Sequence, residues 1–536
     1  MGYIKKNFWY LFILTALILL TYSNALNNAF VSDDIAEIVK NPNIGEISNI
    51  LSRPFGFIRL IFYYLALHIG GLHPFGFRLI NVFLHIGNVL LIFAILSRLY
   101  NKKVAILTAS IFAIHPLLSE SITWISGGGY AQYSFFFLAS FLFYILSKDI
   151  RKYYFLSILF FLFSFMSHPV MPASLVLIYP LFEYCFGNFK KNWLKAFPFA
   201  LLVIAYVLIN LSALPQRAAT LQNTHYQERG MDNPLIQIPV AITNYLQLLV
   251  VPKDLTLYHS ELAYSNFEFI LRAVITLAFF IVTILSIKKS KSLFFWLSFF
   301  TITLLPTLTP FRFNWIVAER YVYLGSLGLF VVFVLILEWL SKKYRYSLDY
   351  TIVVLLLLIL MPITMIRNWE WSSEDTLWVA TGRTSPSSAE NHNNLGDVYG
   401  RQGNKEAAIK EFQTAILLKP NYADAYHNLS NAYVEVGMKK EALQGYEKAA
   451  QLNPSLWQSY QNIAAIYFTD KDYEKTFEYM QKAIQASPNN LNLYNNLGII
   501  YLDMGDKQKA KDTFMKVLSV DPMNQIANAG LQEANK

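Results

Sequence analysis

Two adjacent carboxylates, Asp33 and Asp34, lie a few residues beyond the end of the first apolar run of this 536-residue chain. A carboxylate at a membrane surface, partly desolvated, has a raised pKa and can take a proton as a general base. Neighbouring residues on a turn point in different directions, so one of the pair can act while the other orients. The same pattern also suits a helix start, with Ser32 or Asp33 as the cap. Further along come Arg59, Arg78, Asn81, His85 and Asn88, then His115-Pro116, Glu120, Trp124, Ser126 and Gly127-Gly-Gly129, then His168-Pro169 and Glu319-Arg320. Arginine and histidine suit a phosphate, and Asp, Asn and Trp suit a sugar. Each alone is commonly a packing or snorkelling residue. Their recurrence on one side of the membrane, argued next, is what makes them candidates, because ionisable groups at or within spans are costly.

The elements that must position these residues are apolar helices. The chain is 55% hydrophobic, 16% aromatic and 15% charged, with mean hydropathy +0.35. A soluble protein of this size carries roughly a quarter charged residues. Stretches long enough to span a bilayer fall at about 7–26, 77–98, 103–119, 130–147, 153–168, 170–187, 195–212, 267–287, 293–309, 320–340 and 350–366, roughly eleven in all. The apolar but interrupted segments 56–70 and 235–251 suit interfacial helices. The first run reads as a retained helix and not a cleaved signal peptide. Lys5/Lys6, Lys102/Lys103, Lys148/Arg151/Lys152, Lys190/Lys191, Lys288/Lys289/Lys291 and Lys342/Lys343/Arg345 alternate with loops poor in Lys and Arg. Positive loops face the cytoplasm. The loops 27–76, 120–129, 213–266 and 310–319 then face outward, with everything after 366. The net charge of +9 therefore reflects topology and not nucleic-acid binding. A lone cysteine, Cys185, excludes an internal disulfide and any cysteine-based metal cluster.

After Arg367 the composition changes. Pro386, Pro420, Pro454, Pro488 and Pro522 recur every 34 residues, the tetratricopeptide-repeat period. Each repeat echoes Asn394-Leu-Gly396, with small residues that let paired helices approach and aromatic residues between them. The expected organisation is a polytopic membrane domain over 1–371, a linker over 372–386, four repeats over 387–522 and a capping helix over 523–536. The fold class is all-α: a membrane helical bundle followed by an α-solenoid. Asn394, Asn428, Asn462 and Asn496 share the period and so one face of the solenoid. They can form an amide ladder that holds an extended peptide, or can simply satisfy neighbouring repeats. The ladder is similar to that of the nucleocytoplasmic O-GlcNAc transferase.

The chain as a whole resembles the transmembrane and tetratricopeptide-repeat-containing O-mannosyltransferases and their bacterial relatives, which have the GT-C glycosyltransferase fold. The matching segments run in order: Asp33-Asp34 through Asn41-Pro-Asn-Ile44, Arg53-Pro54, Asn81 to His85, and His115 through Glu120 and Trp124 to Gly127. Pro252 with Leu255, Ala318 to Leu324, and Arg367-Asn368-Trp369 complete the set. The resemblance implies a monosaccharide such as mannose carried on a polyprenyl phosphate. It implies a catalytic base in the acid pair, attack by a Ser or Thr hydroxyl with inversion, and lipid phosphate as leaving group. Donor phosphate or sugar contacts are then expected among Arg78, His85, His115, Glu120, Trp124, His168, Glu319 and Arg320, with acceptor contacts on the four asparagines.

The donor is a substrate and no cofactor is expected. Two carboxylates are able to hold a divalent metal, whereas the resemblance implies none. The expected partners are a lipid-linked sugar and an exported protein, and the expected location is a bacterial inner membrane with the N-terminus cytoplasmic and the repeats outside. Two departures bear on the donor: Ser167-His168 stands where the family shows Ser-Lys, and Tyr323-Leu-Gly325-Ser326 where it shows Tyr-Leu-Pro-Ser. Gly127-Gly-Gly129 is expected to loosen its loop. The alternatives are a ligase for whole lipid-linked oligosaccharides and a non-catalytic envelope scaffold.

Overall fold

A computed structural model describes residues 2–51, 56–168, 170–210, 234–308 and 315–536. Arg53-Pro54, Pro169, and the parts of the outward loops within 211–233 and 309–314 lie outside the described residues. Among the described residues all regular structure is helical. The chain divides into two compact units, Met1–Thr384 and Ser385–Lys536.

In the first unit, helices occupy all eleven of the apolar stretches expected to span. Six are long and apolar enough to cross a membrane: Gly2–Ala25, Pro74–Leu99, Ser126–Leu146, Phe189–Ile209, Asn266–Lys289 and Leu348–Glu370. A seventh crossing is formed if Lys102–Ile114 and Pro116–Thr123 count together across their 60° bend. The rest are shorter apolar helices, such as Lys152–Ser167 and Lys291–Thr307, or carry charge, as Ser326–Tyr344 does with Glu338, Lys342 and Lys343. The estimate of about eleven full spans is thus larger than the six or seven that length and composition support, because hydropathy alone does not tell a crossing helix from a shorter buried one.

Local sequence sets the ends of these helices. Asn101 accepts the Val104 N–H at 2.9 Å to start Lys102–Ile114. Ser265 and Glu268 form a reciprocal capping box at the start of Asn266–Lys289. Pro116 has no N–H to continue the preceding helix. The chain bends there into a short 3-10 turn, Pro116–Leu118, and the helix Glu120–Thr123. That bend carries Glu120 and Trp124 away from the helix axis.

The helix Pro74–Leu99 lies in the core of the unit and packs on Phe57–Gly70, Lys102–Ile114 and Gly129–Leu146. Arg78, Asn81, His85 and Asn88 follow 3-4-3 spacing, so they form one stripe. All four are buried. The glycine run does not loosen its loop. A Cβ on Gly127 would come within 2.6 Å of the Glu120 carbonyl oxygen, and one on Gly128 within 2.1 Å of Asn81 Oδ1. Both glycines are buried in a tight 3-10 turn and are there because nothing larger fits.

The stretch expected as a linker contains the helix Glu374–Thr384, whose Leu377 and Trp378 are buried. In the second unit four helix pairs follow, Ala389–Arg401 with Lys405–Leu418 through Leu491–Asp503 with Lys507–Val520, and then Gln525–Ala534. Gly396 and Gly498 sit against Phe412 and Phe514, where a Cβ would be 2.7 and 2.6 Å from the rings. The turn inside each pair needs a left-handed residue. Gly403, Gly437 and Gly505 supply it at φ 80°, 79° and 80°. The third repeat places Lys471 there instead, at φ 60°.

Candidate active site

The acid pair sits on the segment between the first helix and the π-helical turn Ile35–Val39. Ser32 has φ 55°, a left-handed conformation that costs a β-carbon-bearing residue on the order of 1 kcal/mol. This backbone turns the two carboxylates apart. Asp34 is fully buried, while Asp33 is exposed. One oxygen of Asp34 accepts the Ser126 N–H at 2.8 Å and the other accepts the Val31 N–H at 3.3 Å. Burial pushes the Asp34 carboxyl up to about 6, against the opposing pull of those hydrogen bonds and of Arg78. No side chain caps the following turn, so neither Ser32 nor Asp33 acts as a cap. Asp33 makes no side-chain hydrogen bond or ion pair among the described residues. Beside the turn, Glu37 pairs with Arg59, and Arg59 also donates to the Tyr63 hydroxyl at 2.9 Å.

Arg78 is fully buried and donates to backbone carbonyls of Thr123 (2.7 Å), Asn28 (2.5 Å), Ala29 (3.0 Å) and Leu26 (3.4 Å). The guanidinium ties the start of the first outward loop to the segment that carries Trp124. Its donors are taken up by backbone carbonyls. His85 is committed too, through the Tyr323 hydroxyl at 2.7 Å and the Ala113 carbonyl at 3.0 Å. His115 lies against the Leu249 carbonyl at 3.1 Å and accepts the Leu117 N–H at 3.3 Å. All three are buried and hydrogen-bonded to neighbouring segments. Asn368 continues the tie: it donates to the Thr21 carbonyl (3.0 Å) and accepts from the Thr123 hydroxyl (2.8 Å), while its own carbonyl accepts from Asn28 (2.7 Å).

The remaining candidates converge in a second cluster. Glu120, fully buried, accepts the Arg320 N–H at 2.8 Å and pairs with its guanidinium. Arg320 lies over the rings of Trp124 (5.4 Å) and Tyr321 (5.2 Å). Trp124 stacks on Trp371 with centroids 5.7 Å apart and planes at 22°, and Arg367 lies over Trp371 at 5.5 Å. Arg367 joins Glu319 at 3.2 Å and Glu370 at 2.6 Å. Glu319 also accepts the Thr256 N–H at 2.5 Å and has His259 at 3.6 Å. Two arginines and two tryptophans thus alternate among three carboxylates, in a setting where unpaired charge is expensive. Trp371, Glu370, His259 and Glu37, the partner of Arg59, were not read from the sequence as site residues. The Arg367-Asn368-Trp369 motif was the available signal for the first two. His168 packs on Tyr130 (4.9 Å) and Tyr133 (5.6 Å) and accepts the Val170 and Met171 N–H groups at 3.3 Å each. Tyr130 in turn meets Tyr321 at 5.8 Å, which brings His168 toward the arginine cluster.

A groove of about 590 Å³ runs along the last membrane helix. Leu356, Ile359, Ile363 and Ile366 form its wall, and it ends at Arg367 and Glu370 with Lys253 opposite. Arg367 Nε is buried and has no hydrogen-bond partner. Among the described residues no group of three or more His, Cys, Asp or Glu side chains is placed to hold a metal ion.

In the second unit the four period-34 asparagines are half-buried. Asn428 donates to Asn393 Oδ1 at 3.0 Å, and Asn462 donates to Asn431 Oδ1 at 2.9 Å. Those two amides bridge neighbouring repeats. Asn394 and Asn496 make no side-chain hydrogen bond within the described residues.

Comparison with known proteins agrees with this architecture. The family described as "TPR repeat" matches residues 396–437, and families described as "Tetratricopeptide repeat" match 423–456 and 458–522. Protein O-mannosyl-transferase F38B6.6 of Caenorhabditis elegans is 25% identical over 442 residues, covering 77% of this chain and 63% of that protein. Protein O-mannosyl-transferase TMTC3 of Homo sapiens is 24% identical over 464 residues, covering 75% of this chain and 50% of its own. The chain therefore spans less than two thirds of the length of these relatives. Among solved structures, that of MamA aligns with 28% of this chain and 88% of its own at 22% identity and a TM-score of 0.26. Over about three quarters of its length the chain is thus similar to proteins named protein O-mannosyl-transferases, and its repeats match tetratricopeptide-repeat families.

Proposed function

We propose that this membrane protein transfers mannose from a polyprenyl-phosphate carrier to Ser or Thr hydroxyls of exported proteins. The observation that carries the proposal is the division of labour in the acid pair: Asp34 is buried and doubly hydrogen-bonded, while Asp33 is exposed on the same turn. Asp33 is the base. Its carboxylate takes the proton of the acceptor hydroxyl as that oxygen bonds to the anomeric carbon. The bond from that carbon to the phosphate oxygen breaks, the electron pair leaves with the lipid phosphate, and the anomeric configuration inverts. Asp34 holds the turn in place.

The groove along the last helix supports a lipid donor, since its wall is aliphatic and it ends beside Arg367 and Lys253. Arg320 and His168 are the phosphate candidates in this reading. In this reading the acid pair and the repeats face outward, away from a cytoplasmic N-terminus in a bacterial inner membrane. The repeats hold the acceptor, with Asn394 and Asn496 offering amides that no neighbour uses.

The test is transfer from synthetic polyprenyl-phosphate mannose to a Ser/Thr peptide by the purified full-length chain, alongside intact masses of exported proteins from cells. Asp33→Asn should lower transfer by about 10²- to 10⁴-fold, the range of a lost general base, with the thermal midpoint unchanged. Transfer by Asp33→Asn at the wild-type rate would sink the assignment. Exported-protein masses that do not change when the chain is deleted would sink the glycosylation reading itself.

A further inference from the structure

We infer that the third and fourth repeats form a side-chain pocket that anchors an extended peptide carrying an apolar residue beside a lysine or arginine. This rests on the reading that the repeats hold the acceptor. The pocket has a volume of about 230 Å³ and is lined by Gln461, Ala465, Phe468, Met480, Asn496 and Ile499. Ala465 is exposed, Phe468 half-buried and Ile499 44% exposed, so apolar surface is left open to solvent inside the pocket. Asn496, whose amide no neighbour uses, lines the same pocket. A free amide next to an apolar recess can hold peptide backbone while the recess takes a side chain.

The charge beside the pocket gives its occupant a sign. The 34-residue period puts Asp397, Asn431, Ala465 and Ile499 in register, and likewise Arg401, Glu435, Thr469 and Asp503. Lys405, Lys439 and Tyr473 also share one register. Lys405 pairs with Glu435, and Lys439 pairs with Asp470. In the next repeat the lysine is replaced, and Tyr473 donates its hydroxyl to Asp503 at 3.0 Å. Asp503, exposed and one helical turn beyond Ile499, therefore keeps an uncompensated negative charge. An apolar recess with a carboxylate one helical turn away that no cation neutralises fits an apolar side chain followed by a cation.

The test measures anisotropy of fluorescein-labelled Gly/Ser/Thr peptides on the full-length chain in detergent. One peptide contains a single Leu-Lys pair, a second replaces its Leu by Ser, and a third replaces its Lys by Glu. The Leu-Lys peptide should bind at least about tenfold more tightly than the Ser-Lys peptide, the value of burying one leucine. Ile499→Asp should remove that advantage. Asp503→Lys, an exposed change that leaves the packing intact, should reverse the Lys-over-Glu preference by a few fold. Equal binding of the Leu and Ser peptides, or no binding of either, would overturn the inference. The same peptides supplied as acceptors separate the two readings. Binding at the pocket without mannose transfer would sink the transferase and leave the pocket. Equal transfer by wild type and Ile499→Asp would sink the pocket and leave the transferase.

Discussion

Replacing Asp34 by Asn isolates the energetics of the turn. Burial raises the Asp34 carboxyl from 3.8 to about 6, roughly two units, which corresponds to about 3 kcal/mol between its protonated and ionised forms. The folded state binds this proton more tightly than the unfolded chain does. The favourable contribution is therefore fully present below about pH 4 and is lost as pH rises through 6. Asn is neutral at every pH and keeps one acceptor oxygen for the Ser126 N–H, but it turns an NH₂ toward the Val31 N–H. That mismatch costs about 1–3 kcal/mol. At pH 7 the two effects nearly cancel, and the variant should unfold within a few degrees of wild type. At pH 4.5 it should be clearly less stable. The assay is thermal unfolding of both full-length proteins in detergent from pH 4 to 7.5, taken as a difference so that other titrating groups drop out. A difference between the two that does not change with pH, or a variant that loses more stability at pH 7 than at pH 4.5, would refute the account of Asp34 as a group that burial disfavours in its charged form.

Lys471→Gly should raise the stability of the repeat unit by about 1 kcal/mol, since glycine has no β-carbon to strain at φ 60°; urea unfolding followed by the tyrosine-rich repeats would read it, and an unchanged midpoint would count against it. Glu319→Gln leaves Arg367, which is 2% exposed, facing Glu370 alone in the core. It should cost on the order of 3–5 kcal/mol, read as a drop in thermal midpoint, and Glu319→Gln combined with Arg367→Met should recover part of that loss.

Local features of the sequence carried well into the structure. The 34-residue period needs only neighbours to be read, so the helix pairs fall where the prolines and glycines put them. The apolar stretches are helical because a chain in lipid has to satisfy its own backbone. The site was legible as a set of residue types but not as a set of roles. Asp33 and Asp34 look equivalent in sequence, and the contact that separates them comes from Ser126, 92 residues away. Arg78 has the chemistry of a phosphate ligand, but four carbonyls from two distant segments claim it. The 3-4-3 spacing of Arg78, Asn81, His85 and Asn88 was a sign of one face, and burial of that face was the missing fact. Lys471 could have been singled out in advance, since it stands alone among glycines at one register position.

The tie through Asn368 sets an order of events during synthesis. Its amide and carbonyl meet Thr21 and Asn28, 347 and 340 residues earlier. At the usual pace of translation those partners wait on the order of half a minute for their counterpart. The first helix is thus made long before the residues that close the bundle around it, and until then Asn28 and the end of that helix lack their Asn368 partner. The bundle therefore closes only when the last membrane helix, Leu348–Glu370, has been made.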